Sequence, residues 1–269
     1  MLYEKVYFDE KDPNAFLEVF VSERPKDFVR KAMLVIPGGA YMGVDGEREG
    51  EPIALAFLPK GYNAFVLNYS TGEGISFPRH LIQASKAIKY IRDNAKRFNI
   101  DPEKVIVSGF SAGGHLAACL GTMWDKKEIY DEIDMPFGYN KPDGMMLIYP
   151  VISGKHHAFS FKWLFGGQVP DEDMKYQGSP ENFISENSSP AYIMHTSNDQ
   201  IVNVKNSLAL ADALATKGIK FELHIFPDAP HGVAVGNEIT KCGNEKWCNS
   251  AIAKWVESAA TWAEKLFEE

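Results

Sequence analysis

A serine hydroxyl is a poor nucleophile at neutral pH, so it needs a base, and the base needs an acid to orient it. The sequence offers all three at turn positions. Residues 105–118, VIVSGFSAGGHLAA, run from a β-branched stretch through Gly109-Phe110-Ser111-Ala112-Gly113 into small residues suited to a helix. Gly-x-Ser-x-Gly between a strand and a helix lifts the serine out of the sheet, at a helix N-terminus whose amides and dipole favour developing negative charge. Glycine is expected at 109 and 113 because neighbouring backbone leaves no room for side chains. Ser111 is therefore the expected nucleophile. Of the seven histidines, His231 alone sits in a loop, PDAPHG, just after the last strand-like run. His115 lies one helical turn beyond Ser111 and is expected to pack. His156 and His157 are adjacent, so their side chains diverge, which disfavours a shared metal. His80 starts a helix, His195 lies within or just after a strand, and His224 is inside the last one. His231 is the expected base.

Asp199 ends the turn Thr196-Ser197-Asn198-Asp199 after another apolar run. A carboxylate there accepts a bond from one imidazole nitrogen and leaves the other facing Ser111. Asp228, three residues before His231, competes for this role but is expected to cap its own turn. Residues 35–41, VIPGGAY, end an apolar run in two glycines that let successive amides converge. With the amide of Ala112, those of Gly39 and Ala40 form the expected oxyanion hole, each donor worth roughly 3 kcal/mol of barrier.

These residues need a frame, and the chain supplies one. Apolar runs of strand length recur at 32–36, 64–68, 104–108, 145–149, 191–195 and 221–226, and an alternating run at 16–21 suggests an early antiparallel strand. Most are apolar throughout, as strands covered on both faces are. Helical patterns lie between them. Leu81, Ala84, Ile88, Ile91, Ala95 and Phe98 form one stripe beginning just after Pro78. Further helices are expected at 112–123, at 203–216 with Gly218 as the C-terminal cap, and at 245–267. The pattern predicts an α/β fold: a mostly parallel twisted sheet of about eight strands with helices on both faces. No repeat or polar linker divides the chain, so residues 1–269 are expected to form one domain. An irregular aromatic segment, 153–190, reads as an insertion above the C-terminal edge of the sheet. Tyr41, Trp163 and Phe165 are candidate walls of a small acyl pocket.

The bulk composition excludes other classes. Against 28 basic side chains stand 36 acidic ones, for a formal charge of −8. Such a balance gives no electrostatic reason to seek nucleic acid or an anionic membrane. The N-terminus lacks the apolar core of a secretory signal, and the run 145–152 is too short to cross a bilayer. Three cysteines fit free thiols in a reducing compartment, read as the cytoplasm. Cys242 and Cys248 lie in an expected helix start, where six residues rise about 9 Å, too far for a disulfide.

Together, the stretches Pro37-Gly38-Gly39-Ala40-Tyr41, GFSAGGHLA, SNDQIV and PHG resemble the acetyl esterase and acetylxylan esterase branch of the α/β-hydrolases, related to the hormone-sensitive-lipase-like esterases. The order Ser, Asp, His is the order that fold uses. Pro37 and Ala40 replace the first and last residues of the usual His-Gly-Gly-Gly, and 69–72 lacks that group's arginine, so kinship with the lipase-like enzymes is looser. The resemblance implies hydrolysis of short acyl esters, often acetyl groups on sugars, with no cofactor or metal and a small-molecule ester as partner. It leaves the oligomeric state open. A broad short-chain carboxylesterase, an amidase or peptidase of the same fold, and a catalytically silent binding protein are the alternatives.

Overall fold

Consecutive residues of the central strands are buried because the two faces of one sheet meet two separate apolar cores. The structure, a computed structural model, describes residues 1–9 and 12–268. Its strands are β1 (Leu2–Tyr7), β2 (Phe16–Val21), β3 (Arg30–Ile36), β4 (Tyr62–Asn68), β5 (Ile100–Phe110), β6 (Gly144–Ile148), β7 (Ala191–Thr196) and β8 (Phe221–Phe226). They form one sheet in the order β1-β2-β4-β3-β5-β6-β7-β8. β1 pairs antiparallel with β2, and β2 with β4; every later pairing is parallel. In β3, Ala32, Leu34 and Ile36 enter one core while Met33 and Val35 enter the other. β6 divides Met145 and Leu147 from Met146 and Ile148 in the same way. A two-residue side-chain period with both faces covered yields such unbroken apolar runs. β1 goes unmarked in the sequence because it lies at the open edge, alternating half-buried with exposed residues.

The helices are α1 (Gly46–Glu49), α2 (Glu51–Phe57), α3 (Arg79–Asp93), α4 (Ala95–Phe98), α5 (Ala112–Thr122), α6 (Lys127–Glu132), α7 (Ala158–Leu164), α8 (Glu172–Gly178), α9 (Lys205–Thr216) and α10 (Trp255–Glu268). α3, α5 and α9 cover the first core through Leu81, Ile88, Leu116, Leu210 and Leu214. α2 and α10 cover the second through Ile53, Phe57, Trp255 and Ala259. Two predicted helices are shorter than their patterns. The stripe from Leu81 to Phe98 breaks at Asn94, whose side-chain amide donates to the Tyr90 carbonyl at 2.9 Å and so competes with the helix ladder. The closing helix begins only at Trp255. Before it lie two 3-10 turns, Glu245–Trp247 and Ile252–Lys254, because Asn244 and Asn249 accept from amides two and three residues on. Cys242 and Cys248 thus do not lie in a helix; both are nonetheless free thiols, as is Cys119.

Between β6 and β7 the chain makes α7, α8 and the 3-10 turn Pro180–Phe183. Phe161, Leu164, Phe165 and Ile184 of this segment pack into the first core. The tightest backbone approach lies under the β5–α5 turn. A Cβ on Gly113 would sit inside contact distance of the Ile36 and Pro37 carbonyl oxygens. Gly113→Ala must therefore move β3 or α5, an overpacking cost of roughly 1–3 kcal/mol or more. The expected result is a clearly lowered midpoint of urea unfolding; an unchanged midpoint would show that the turn yields freely.

Candidate active site

β5 delivers Ser111 to the end of the sheet. The residue has φ 53°, a left-handed conformation that costs a non-glycine residue roughly 1–3 kcal/mol unless its surroundings enforce it. They do. Its amide donates to the Ile148 carbonyl at 3.1 Å, and its carbonyl accepts from His115 and Val151 at 3.1 and 3.0 Å. Ala112 opens α5, so its amide has no acceptor within the helix.

The loop after β8 brings His231 to this turn, and the loop after β7 brings Asp199. The Ser111 hydroxyl donates to His231 Nε2 at 2.9 Å, and His231 Nδ1 donates to Asp199 Oδ2 at 2.6 Å. The three predicted side chains meet in the predicted order. Asp199 is buried, while its other oxygen accepts from the Ile201 and Val202 amides, both at 2.9 Å. Burial alone would raise its pKa. Hydrogen bonds from His195 and His231, the charge of His231 and the Val202 amide outweigh that and hold the carboxyl well below the usual range. His195, buried in β7, donates Nε2–H to the Val202 carbonyl at 2.9 Å and accepts from Ser207 at 2.7 Å. It supports the acid and does not face Ser111. Asp228 accepts from the Asn198 side chain, in the loop after β7, a bond between loops where a cap on its own turn was expected; the imidazole's partner is Asp199.

The loop after β3 passes beside the serine. A Cβ on Gly38 would lie 2.9 Å from that of Ser111. Gly39 has φ 125°, Ala40 56° and Tyr41 63°, and the Gly39 carbonyl accepts from Met42 and Gly43. Tyr41 needs correction as a pocket wall. It is 1% exposed, and its hydroxyl donates to His115 Nδ1 at 2.7 Å, whose Nε2 donates to the Gly178 carbonyl at 2.6 Å. Its polar tip pins the loop to α5 instead of facing a cleft. His115 is a packed residue, as expected, and burial pushes its pKa down to about 4. Phe165 is likewise buried in the first core, beside Phe77, and Trp163 packs half-buried against that core. An aromatic residue gains more from this burial than from lining an open surface.

Three residues at the site carry no mark in the sequence. Glu49 is 3% exposed, accepting from the Gly38 amide at 2.8 Å and from the Tyr149 hydroxyl at 2.7 Å. Arg48 stacks on Trp247, 3.7 Å from the ring centre, and donates to the Gly232 carbonyl. The Trp247 indole donates to the His231 carbonyl at 2.9 Å. In GEREGEP, Arg48 and Glu49 read as ordinary helix-surface charges. Among the described residues, no cluster of three His, Cys, Asp or Glu could hold a metal ion, and no helix is long and apolar enough to cross a membrane.

A mostly parallel eight-stranded sheet with helices on both faces and a serine turn at its C-terminal end defines an α/β-hydrolase. The chain belongs to the BD-FAE family, which matches residues 17–214, and the dienelactone hydrolase family matches 169–264. It is 40% identical to an endo-1,4-beta-xylanase B of Butyrivibrio fibrisolvens over 79% of its length, and 30% identical to an acetylxylan esterase of Xylanibacter ruminicola over 84%. It spans only 34% and 45% of those relatives. An acetyl ester-xyloside bifunctional hydrolase from Caldicellulosiruptor lactoaceticus superimposes with a TM-score of 0.83 at 32% identity, covering 98% of this chain and 96% of that one. The chain thus has the α/β-hydrolase fold, and the proteins it is similar to include a named acetylxylan esterase and an acetyl ester-xyloside hydrolase.

Proposed function

We propose that the protein removes acetyl or similarly short acyl groups from acetylated sugars, xylo-oligosaccharides foremost, through an acyl-serine intermediate. The hydrogen-bonded line from the Ser111 hydroxyl through His231 to Asp199 carries this reading. His231 takes the Ser111 proton as the oxygen attacks the ester carbonyl, and the amides of Gly39, Ala40 and Ala112 receive the oxyanion. On collapse the C–O bond to the sugar breaks, and His231 returns the proton to the departing alcohol. Water, deprotonated by His231, then attacks the acyl-serine and releases acetate. No cofactor enters these steps. The acetylxylan esterase relative and the acetyl ester-xyloside hydrolase neighbour support a xylan-derived alcohol.

Acyl length follows from packing. Of the three aromatic residues expected to wall the pocket, Tyr41 and Phe165 are buried in the first core and Trp163 packs half-buried against it, so their rings are committed to packing and not to gripping a long chain. Hydrolysis of p-nitrophenyl acetate is expected to exceed that of the octanoate in kcat/KM by roughly 10-fold or more, since unmatched methylenes gain nothing from solvent-exposed walls. Acetate released from acetylated xylo-oligosaccharides, compared with simple aryl acetates, tests the sugar. A clear preference for octanoate, or no acetate from the oligosaccharides beside rapid aryl turnover, would remove the deacetylase reading and leave a general carboxylesterase.

A further inference from the structure

The loop bearing His231 and the loop bearing Gly39 and Ala40 come from opposite ends of the chain, yet both are tied to Arg48 and Glu49. Glu49 accepts the Gly38 amide on one oxygen and the Tyr149 hydroxyl on the other. The Tyr149 oxygen accepts in turn from the Ala234 amide at 3.0 Å, and the Tyr149 ring meets the His231 imidazole edge-on, with centres 4.9 Å apart. Arg48 reaches the same loop at the Gly232 carbonyl and, through its stack on Trp247, the His231 carbonyl. The histidine loop is thus held at residues 231, 232 and 234 by groups that converge on two adjacent positions of α1.

Two features separate this arrangement from ordinary packing. Burial works against the charge on Glu49 and pushes its pKa up, against the pull of Tyr149 and Gly38. An apolar residue of similar size would avoid that cost. The site also concentrates backbone strain: Ala40, Tyr41, Ser111, Tyr149 and Ala234 all have positive φ. Tyr149 and Ala234 are members of the Glu49 network, and Ala40 and Tyr41 follow closely on Gly38. Conformations of this kind persist only where the surroundings over-determine them.

We propose that Glu49 is a positioning residue for the reaction, its carboxylate setting the oxyanion amides at the correct distance from the His231 imidazole, with Arg48 fixing the far side of the histidine loop. The inference rests on the reading of Ser111 and His231 as nucleophile and base. It has a distinct kinetic signature. Both partners of Glu49 are donors, so a carboxylate satisfies both, whereas an isosteric carboxamide can accept only one and turns its NH2 toward the other. The acyl-binding surface stays as it was, but the amides and the imidazole lose their fixed separation.

The test is Glu49→Gln assayed with p-nitrophenyl acetate, the active fraction being counted by stoichiometric labelling of Ser111 with a fluorophosphonate. Per labelled site, kcat is expected to fall roughly 10- to 100-fold, the scale of a small misplacement of catalytic groups, with KM within about two-fold. A fold-only role would lower the labelled fraction and the melting temperature but leave kcat per site intact. That result would overturn the proposal. Arg48→Lys, at a less buried position, loses the planar stack and should show the same split more weakly. If Glu49→Gln does not fold, Arg48→Lys with unchanged kcat per site overturns the proposal instead. A wild-type chain that neither turns over the ester nor takes the label removes the triad reading, and this inference with it. An active wild type beside an unimpaired variant removes this inference alone.

Discussion

Ser111→Ala is expected to lower kcat for p-nitrophenyl acetate by about a million-fold, the scale seen when the nucleophile of a serine triad is lost. The side chain contributes little else. Its one hydrogen bond is the donation to His231 Nε2 at 2.9 Å. Its backbone strain is enforced by the donation of its amide to Ile148 and the acceptance by its carbonyl from His115 and Val151, all of which alanine retains. The variant should therefore melt close to the wild type while losing turnover and fluorophosphonate labelling together. Residual rate from the oxyanion amides and substrate binding stays above that of water, because those groups do not depend on the hydroxyl. The measurement needs protein free of host esterase. Undiminished turnover by the purified variant would reject Ser111 as the nucleophile.

Why the three side chains could be placed from sequence, while their supports could not, follows from how local each signal is. The turn around Ser111 is specified within five residues, since glycines at 109 and 113 answer backbone approaches that a strand-to-helix reversal always creates. Strands β3 to β7 declare themselves because burial on both faces demands unbroken apolar runs. His231 and Asp199 are then found by position, each in the loop after a strand that the pattern reveals. Glu49 is different. Its burial depends on Tyr149, one hundred residues away, and nothing near it in the chain distinguishes it from the exposed acids of the same segment. Tyr41 misleads for the same reason, since its hydroxyl is claimed by His115, seventy-four residues on. The late start of α10 was legible in principle. Asn244 and Asn249, one just before and one inside the span 245–267 expected to be helical, are residues that turn backbone amides aside.

Asp199→Asn is expected to lower kcat by about 10⁴-fold with the fold intact, as loss of the orienting acid does in a serine triad. The carboxylate acts through hydrogen-bond direction. It accepts from His231 Nδ1 at 2.6 Å, so Nε2 is left unprotonated to receive the Ser111 proton. An asparagine can place its NH2 there and donate, which selects the tautomer with its proton on Nε2, facing the serine and unable to act as base. It also removes the charge that stabilises the imidazolium formed as the serine attacks. The same substitution has a second readout. The folded-state pKa of Asp199 lies below its unfolded value near ~3.9. Its contribution to stability is therefore present above that value and lost as pH falls toward the folded one. Unfolding midpoints should show a wild-type advantage over Asp199→Asn at neutral pH that narrows as the pH drops from about 5 toward 2. An activity loss without that convergence would mean the carboxylate orients the imidazole while adding nothing to the fold. Convergence without the activity loss would end its assignment as the acid.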